Sequence, residues 1–258
     1  MTDFDRCLSF LRELHRRAAN QILNYPFGEA HLHDGLPRVW SRNYLVAENN
    51  LELASPELLA MEADRILGGV GLRHRRIEVH DDEAGTRLEA GFRALGWGAE
   101  CDLVMVARDE PDREPDLARA EEVGFEALTP IWAEGIRSEP YGQDEEVVRQ
   151  LIENKRAVMD AIATRFFAAR VDGGIASYCD LYSDGRTGQI EAVLTLERYR
   201  NQGLARAIVS RALAASHEAA NDITFLLAMR DDWPQELYRK LGFGEVGRLW
   251  SFLRPPPA

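Results

Sequence analysis

The sequence predicts an α/β (α+β) protein built from two similar domains in tandem. Three observations predict this fold. Helical and strand patterns alternate along the chain, a helix-glycine-aromatic-strand segment occurs twice, and a charged, proline-containing stretch separates the two copies. The chain has 258 residues, more than the ~100 to 200 of an ordinary domain. The length alone would also allow one large domain.

The repeated segment starts at Gly91 in the first half and at Leu237 in the second, a constant offset of 146 residues. The copies share an arginine, two leucines and two glycines, in the order Arg93, Leu95, Gly96, Gly98, Leu103 and Arg239, Leu241, Gly242, Gly244, Leu249. An alternative is that both segments are ordinary helix ends, since glycine often ends a helix before a strand. We predict two copies of one domain, 1–110 and 111–258, divided near the stretch RDEPDREP at 108–115.

The first half shows a complete set of helix and strand signals. Apolar residues at three- and four-residue spacing predict an opening helix from about Asp3 to Leu23, followed by a loop that contains His31. Ser55 and Pro56 have the residue types of a helix N-cap and first helical position. The predicted elements are a strand Val39–Ala47, a helix Ser55–Leu67, a strand Ile77–His80, a helix ending at Leu95 and a strand Asp102–Ala107.

The second half begins with two helices and a hairpin. We predict helices from about Pro130 and from Asp144 to Ala163, then a hairpin turn at Asp172-Gly173-Gly174. The remaining predicted elements are a strand Gln189–Leu196, a helix Gly203–Ala219, a strand Ile223–Ala228, a short helix Gln235–Lys240 and a strand Leu249–Leu253.

Composition narrows the function classes. The formal net charge of -12 argues against nucleic-acid and anionic-membrane binding, because the field of the protein would repel polyanions. No apolar run approaches the ~18 residues of a membrane span, and the amino terminus does not resemble a signal peptide. Three cysteines without metal spacing predict a reducing, cytoplasmic location. His31 and His33 have no distant third ligand, so we predict no metal site.

The strand QIEAVLTL and the residues after it carry the strongest functional signal. Simple alternation places Gln189, Glu191, Val193 and Thr195 on one face and Ile190, Ala192, Leu194 and Leu196 on the other. At Gly203 and Ala205, small residues leave backbone amides uncovered where a helix begins. Such amides, with the positive end of the helix dipole, bind diphosphates. Arg200 and Arg206 would add positive charge.

These residues resemble a known family. Arg200-Asn201-Gln202-Gly203-Leu204-Ala205 fits the R/Q-x-x-G-x-G/A signature of the GNAT acyltransferases, and LYRKLGF at 237–243 is similar to the LY-x-x-x-GF element of the same family. The resemblance covers about Val123 to Phe252. It implies tandem GNAT-like domains, each a mixed, mostly antiparallel sheet flanked by helices, with a parallel splay at the acyl-CoA site.

The resemblance implies roles for particular residues. Backbone groups of Leu194, Thr195 and Leu196 would pair with pantetheine, and amides from Gln202 to Arg206 would hold the pyrophosphate of acetyl-CoA, the acyl donor. Tyr238 would lie near the thioester sulfur and donate a proton to it, and Glu191 is a candidate general base. Core packing for Tyr238 and an ion pair with an arginine for Glu191 are the structural alternatives.

The chain departs from the family pattern at two places. Asp231 stands where the family often has asparagine, and it could cap the next helix instead. The first half has ENNLELAS between its strand and helix, without the glycines of an anion site, so we expect a degenerate domain that walls the substrate cleft or dimerises.

The resulting hypothesis is an N-acetyltransferase that moves the acetyl group of acetyl-CoA to a small-molecule or peptide amine in a ternary complex. A homodimer is left open. The alternative is a non-catalytic acyl-CoA-binding or protein-interaction module derived from the GNAT fold.

Overall fold

The computed structural model describes residues 1–256. Seven helices are present in that range: α1 (Asp3–Ala18), α2 (Pro56–Gly69), α3 (Asp82–Ala94), α4 (Phe125–Ser138), α5 (Glu145–Ala161), α6 (Leu204–Glu218) and α7 (Pro234–Lys240). The same range contains the strands β1 (Gln21–Tyr25), β2 (Gly28–Leu32), β3 (Tyr44–Ala47), β4 (Arg75–Val79), β5 (Gly98–Ala107), β6 (Glu121–Val123), β7 (Ala163–Val171), β8 (Gly174–Ser183), β9 (Thr187–Thr195), β10 (Ile223–Met229) and β11 (Phe243–Arg254).

The chain folds into two compact units, and each unit includes a terminal segment from the other half of the chain, which we call the exchange. The amino-terminal unit comprises Leu11–Leu103, Met229–Asp231 and the described residues from Gly247 on. The carboxyl-terminal unit comprises Met1–Phe10, Val104–Ala228 and Asp232–Val246. The chain passes from one unit to the other inside α1, β5, β10 and β11 and between Asp231 and Asp232.

In the amino-terminal unit, antiparallel β1, β2 and β3 are followed by β4, which pairs with β3 in parallel. The next strand position is taken by β11, which pairs antiparallel with β4 from Trp250 to Arg254. Helices α2 and α3 cover one face of this sheet with a core that includes Leu59, Leu88 and Phe92. The last strand of the chain therefore completes the first sheet.

In the carboxyl-terminal unit, β6, β7, β8 and β9 pair antiparallel in that order, and β10 pairs with β9 in parallel. An aromatic core around Trp132 and Phe166 joins α4 to β7 and β8. On the opposite face, the Cys179 thiol of β8 contacts the Ile208 carbonyl of α6 at 3.6 Å. Helix α6 and helix α4 thus lie on opposite faces of this sheet.

The element order confirms the tandem fold. The run β3-α2-β4-α3-β5 of the first half recurs as β9-α6-β10-α7-β11, and each run opens with a parallel strand pair joined by a helix. The Ser55 hydroxyl caps α2 by accepting a hydrogen bond from the Leu58 amide, as predicted. The hairpin turn is also confirmed, with Asp172 and Gly173 in the left-handed region.

Several predicted elements were wrong in extent. Helix α1 ends at Ala18, and the residues from Gln21 to Tyr25 form β1, whose hairpin with β2 places His31 in a strand instead of a loop. The apolar spacing after Ala18 is compatible with a helix and with a strand, and the pairing with β2 makes this segment a strand. Residues 40–42 form a 3-10 turn, so only the end of the predicted strand Val39–Ala47 is extended.

Helix α4 begins at Phe125, five residues before the predicted start, and Pro130 lies inside it. Proline removes one backbone donor from the helix. The helix continues through it because Phe125, Leu128 and Trp132 are buried on one face.

Candidate active site

The parallel strands β9 and β10 separate halfway along their length. They pair from Thr187 and Ile223 to Ile190 and Leu226, and β9 then continues to Thr195 without a further partner on that side among the described residues. A β-bulge accompanies the separation, because the register against β8 shifts after Glu191 and Ala192 has a φ of 53°. The separation leaves one edge of β9 unpaired.

The bulge overturns the simple alternation predicted for this strand. Asp180 of β8 lies opposite Glu191, and Tyr178, on the same face, lies opposite Leu194. Leu194 therefore shares a face with Glu191 and packs against the aromatic core under α4. The prediction that Glu191, Val193 and Thr195 share a face was wrong, because the extra residue reverses side-chain direction after Ala192.

The three backbone positions predicted to pair with pantetheine differ in availability. The Leu196 amide donates to the Ala176 carbonyl at 2.9 Å, and the Leu194 carbonyl accepts from the Ser177 hydroxyl at 2.8 Å. Backbone groups of successive strand residues point to opposite edges. Thr195 is therefore the residue whose backbone faces the unpaired edge of β9.

The predicted anion turn has the required geometry. Asn201 and Gly203 both adopt left-handed φ angles, 61° and 76°. Gly203 is the N-cap of α6, and no side chain caps the helix there. The first amides of α6, from Leu204 to Arg206, consequently have no side-chain acceptor, which is the condition for an anion site at a helix N-terminus. The turn and Gln202 are exposed, while Leu204 is buried and Ala205 half-buried.

Three arginines surround this turn. Arg200 is exposed and makes no side-chain hydrogen bond or ion pair within the described residues. Arg206 is mostly buried and lies 2.8 Å from the Asp112 carboxylate. A methyl group built on Gly203 would lie 3.5 Å from the Arg119 guanidinium, which sequence analysis missed. Nothing in the sequence marks Arg119, because it reaches the turn from a separate 3-10 turn at Leu117–Arg119.

Tyr238 is buried on α7 and packs edge-on against Phe243, with ring centroids 6.3 Å apart. Burial, reinforced by the negative charge of Glu191, raises the pKa of Tyr238. A phenol held in its protonated form is suited to donate a proton.

Glu191 is half-buried at the bulge. Its carboxylate accepts a hydrogen bond of 2.8 Å from the Gln189 side-chain amide. Glu191 lies opposite Asp180, a fully buried carboxylate that sequence analysis missed. Asp180 accepts hydrogen bonds from Lys155 at 2.5 Å and from the Tyr182 hydroxyl at 3.0 Å.

Two other residues considered from the sequence, Asp231 and Cys179, have structural surroundings that give them no role at the site. Asp231 does not cap α7: its carboxylate pairs with Arg230 at 3.0 Å, and the helix has Trp233 at its N-cap without a side-chain cap. Cys179 is fully buried, and burial raises its thiol pKa well above the ordinary value, so it is not a reactive thiolate.

The first copy lacks the features of this site. Its parallel strands stay paired to their ends, where the His80 amide donates to the Ala47 carbonyl at 3.3 Å. Its helix α2 starts with Pro56 and is capped by Ser55, so the amides that would hold an anion are used or missing. The region of α2 that corresponds to the anion turn of α6 is thus closed to a diphosphate.

The sheet face under α1 in the first copy is polar and buried. His15 of α1 contacts the Tyr44 hydroxyl, and Arg12 and Arg16 pair with Glu48 and Glu29. A small pocket among these side chains also includes His31 and His80, with room for about one water molecule. Burial lowers the pKa of His15 to about 3.

Among residues 1–256, no group of three or more His, Cys, Asp and Glu side chains has metal-binding geometry. None of the helices in the described part of the chain combines the length and apolar character that crossing a membrane requires.

Comparisons with known proteins agree with this geometry. The family model described as acetyltransferase (GNAT) domain matches residues 163–245. A search of curated proteins found no match. Among solved structures, a GCN5-related N-acetyltransferase from Kribbella flavida is similar at 20% identity and a TM-score of 0.67, covering 100% of this chain and 97% of that one.

Two further structures share the fold. A functionally unknown conserved protein from Staphylococcus epidermidis aligns at 14% identity and a TM-score of 0.67, covering 93% of this chain and 95% of that one. A tandem GNAT protein from the clavulanic acid biosynthesis pathway aligns at 15% identity and a TM-score of 0.50, covering 77% and 70%. The matched segment contains the separating strands, the anion turn and Tyr238. The family model therefore identifies residues 163–245 as an acetyltransferase (GNAT) domain.

Proposed function

We propose that the protein is an acetyl-CoA-dependent N-acetyltransferase that transfers the acetyl group to an amine by direct attack in a ternary complex. One observation carries the proposal. Within one unit, an uncapped helix N-terminus behind a left-handed turn adjoins an unpaired strand edge, and a protonated phenol lies near a carboxylate. Acyl transfer from a CoA thioester can use each of these parts.

In this proposal the diphosphate binds to the amides from Gln202 to Arg206, with Arg200 and Arg119 supplying positive charge. The small side chain of Ala205 lets the diphosphate approach the backbone. Pantetheine lies along the unpaired edge of β9, where the Thr195 backbone is available. Bound acetyl-CoA supplies the thioester carbon that the amine attacks.

Glu191 and Tyr238 carry out the proton transfers of the reaction. Glu191 takes a proton from the attacking amine, directly or through water, and Tyr238 donates a proton to the departing thiolate. Support for these roles comes from the half-exposed position of Glu191 at the bulge and from the raised pKa of Tyr238. Acetyl transfer and thiol release then take place without a covalent enzyme intermediate.

We further propose that the first copy does not bind acyl-CoA and that each chain has one cofactor site. The paired ends of β3 and β4 and the capped start of α2 support this proposal. A homodimer formed through the first copy stays a prediction.

The activity is tested by thiol release from acetyl-CoA across alkyl, aromatic and peptidic amines. We expect at least one class to raise thiol release above the rate without amine, with the acetylated amine identified by mass. Binding of acetyl-CoA without release for any amine would instead support a non-catalytic acyl-CoA-binding module.

The cofactor site is tested at Gly203 with two variants of nearly equal size. Asparagine and aspartate both tolerate left-handed backbone, and the position has open space apart from Arg119. We expect Gly203→Asp to weaken acetyl-CoA binding by about tenfold or more relative to Gly203→Asn, because only aspartate places a negative charge against the diphosphate. Equal affinity in both variants would contradict this assignment.

A further inference from the structure

Residues 109–112, which we call the linker segment, lie against the end of α7. The Asp109 amide donates to the Gly242 carbonyl at 3.1 Å, and the Asp112 amide donates to the Lys240 carbonyl at 2.9 Å. A methyl group built on Gly242 would lie 2.0 Å from the Asp109 carbonyl oxygen, so this close approach requires glycine. The linker segment and α6 both belong to the carboxyl-terminal unit. The backbone of the linker segment is therefore fixed within the unit that contains the proposed cofactor site.

The side chain of Asp112 reaches the first turn of α6. Its Oδ1 lies 2.8 Å from Nη1 of Arg206. That nitrogen is buried, but the contact is not aligned as a hydrogen bond, and Nη1 has no hydrogen-bond acceptor among the described residues. The Asp112 side chain is 45% exposed. An ion pair that is exposed on one side and lacks a directed hydrogen bond is weak, so another anion can replace its carboxylate.

The start of α6 attracts negative charge. Arg206 lies in the first turn after the N-cap Gly203, so the Asp112 carboxylate is near the positive end of the helix dipole. The proposed function places a diphosphate at the same helix end. Arg119 and Arg200 add positive charge there, whereas the charge of Arg206 is neutralised by Asp112. The diphosphate and Asp112 therefore compete for one guanidinium group.

We propose that Asp112 is an internal competitor of acyl-CoA. Its carboxylate pairs with Arg206 while the cofactor site is empty, and the diphosphate replaces it on Arg206 when acyl-CoA binds. The proposal rests on the proposed function and adds a regulatory contact at the same site. Only the side chain has to move, because the backbone of the linker segment stays bonded to Lys240 and Gly242. The contact weakens the binding of acyl-CoA and of the CoA product alike, and it thereby speeds product release, which limits kcat in many enzymes.

The first test is Asp112→Asn, which keeps the size of the side chain and removes its charge. Calorimetric titration of CoA and of inorganic pyrophosphate into the intact protein at about 0.1 M salt measures the two Kd values. We expect the variant to bind each ligand about two- to fivefold more tightly than wild type, the range typical of one charge at a helix end. Unchanged or weaker binding of CoA would overturn the proposal, since a carboxylate that only positions Arg206 helps the ligand to bind.

Asp109→Asn is the matched control, because Asp109 belongs to the same linker segment and its exposed carboxylate makes no ion pair within the described residues. At about 0.1 M salt, charges more than ~10 Å apart are largely screened. The control should therefore keep the Kd of CoA within about 1.5-fold of the wild-type value. An equal gain in both variants would show a general effect of net charge and would contradict a specific contact of Asp112.

Arg206→Gln tests whether Asp112 acts through its partner. Without the guanidinium the carboxylate is no longer held at the start of α6, so the gain from Asp112→Asn should disappear. We expect Asp112→Asn to change the Kd of CoA by less than about 1.5-fold in the Arg206→Gln background. A full gain in that background would mean that Asp112 repels the diphosphate directly, and it would refute the replacement at Arg206.

The two proposals fail in different ways. CoA binding that does not tighten in Asp112→Asn would leave the cofactor site standing and refute the competitor. CoA binding that survives Gly203→Asp, or no CoA binding in any variant, would refute the cofactor site and the competitor with it. Tighter CoA binding in Asp112→Asn without thiol release for any amine would support the competitor and refute catalysis.

Discussion

The surroundings of Tyr238 suit one chemical step, the donation of a proton to the departing thiolate. Its side chain is buried, and burial together with the charge of Glu191 raises its pKa, so the phenol stays protonated through the neutral and alkaline range in which amines lose their protons. We expect Tyr238→Phe to lower kcat by about 10²- to 10⁴-fold, the usual contribution of a positioned proton donor, while the Kd of acetyl-CoA stays unchanged. Steady-state thiol release and calorimetry measure the two quantities.

A matched control is Tyr25→Phe, which removes a buried phenol hydroxyl from the first copy, where it donates to the Val46 carbonyl at 3.0 Å. This control should keep wild-type kcat at temperatures where both proteins are folded. If Tyr238→Phe also kept wild-type kcat, Tyr238 would be a packing residue only.

At the residue scale, sequence could predict the atoms that depend on local geometry. Gly203 and the amides after it follow from a glycine placed between a strand and a helix, and in the structure this glycine is the N-cap of α6, with a left-handed φ. Asp180, Lys155 and Arg119 could not be predicted. They come from β8, α5 and a 3-10 turn, and only the folded chain brings them near Glu191 or Gly203.

At the scale of elements, the exchange of β11 has a direct consequence for stability. Phe252 of β11 is fully buried in the amino-terminal unit and stacks on Phe92 with ring centroids 4.1 Å apart. We expect Phe252→Ala to lower the free energy of unfolding by about 3 to 5 kcal/mol, because it leaves a cavity in that core. Chemical denaturation followed by tryptophan fluorescence measures the loss.

Phe252→Leu is the control for that experiment, since it keeps most of the side-chain volume and should cost about 1.5 kcal/mol or less. A loss below about 1 kcal/mol for Phe252→Ala would contradict the packing of β11 in this core. The exchange also implies that a fragment ending at residue 110 lacks a strand of its own sheet.

Sequence patterns predicted the elements well but not their partners. The period of two in β9 correctly indicated a strand, yet it could not show the bulge at Ala192, since alanine has no special preference for a left-handed φ. The apolar residues of β11 likewise indicate a buried strand, but nothing local distinguishes pairing with β4 from pairing within the second copy. Register and pairing depend on contacts between residues far apart in the chain.

At the scale of the whole molecule, the buried histidines predict sensitivity to acid. Burial lowers the pKa of His15 to about 3 and of His74 to about 4, and it also lowers the pKa of His31. Below about pH 6.5 these histidines bind more protons in the unfolded chain than in the native chain. Stability therefore falls as the pH falls. Asp102 acts in the opposite sense between about pH 6 and 4, because burial raises its pKa to about 6.

His74 is the best single probe of this effect. The residue is 1% exposed, its Nε2 donates a hydrogen bond to the Asn43 carbonyl at 2.8 Å, and its ring stacks on Trp40. We expect His74→Gln to reduce the slope of unfolding free energy against pH by about 1 kcal/mol per pH unit between pH 6 and 4.5. Urea titrations at several pH values measure the slope, and an unchanged slope would show that His74 is not held neutral in the native state.

The central claim concerns the whole chain: two copies of one fold, with a single acyl-CoA site in the second copy. The first copy has its helix capped and its parallel strands paired, whereas the second has a bare turn and separated strands. The most direct test is calorimetric titration of acetyl-CoA into the intact protein. The account predicts one molecule bound per chain and its loss in Gly203→Asp, whereas two molecules per chain, none, or one that survives Gly203→Asp would contradict it.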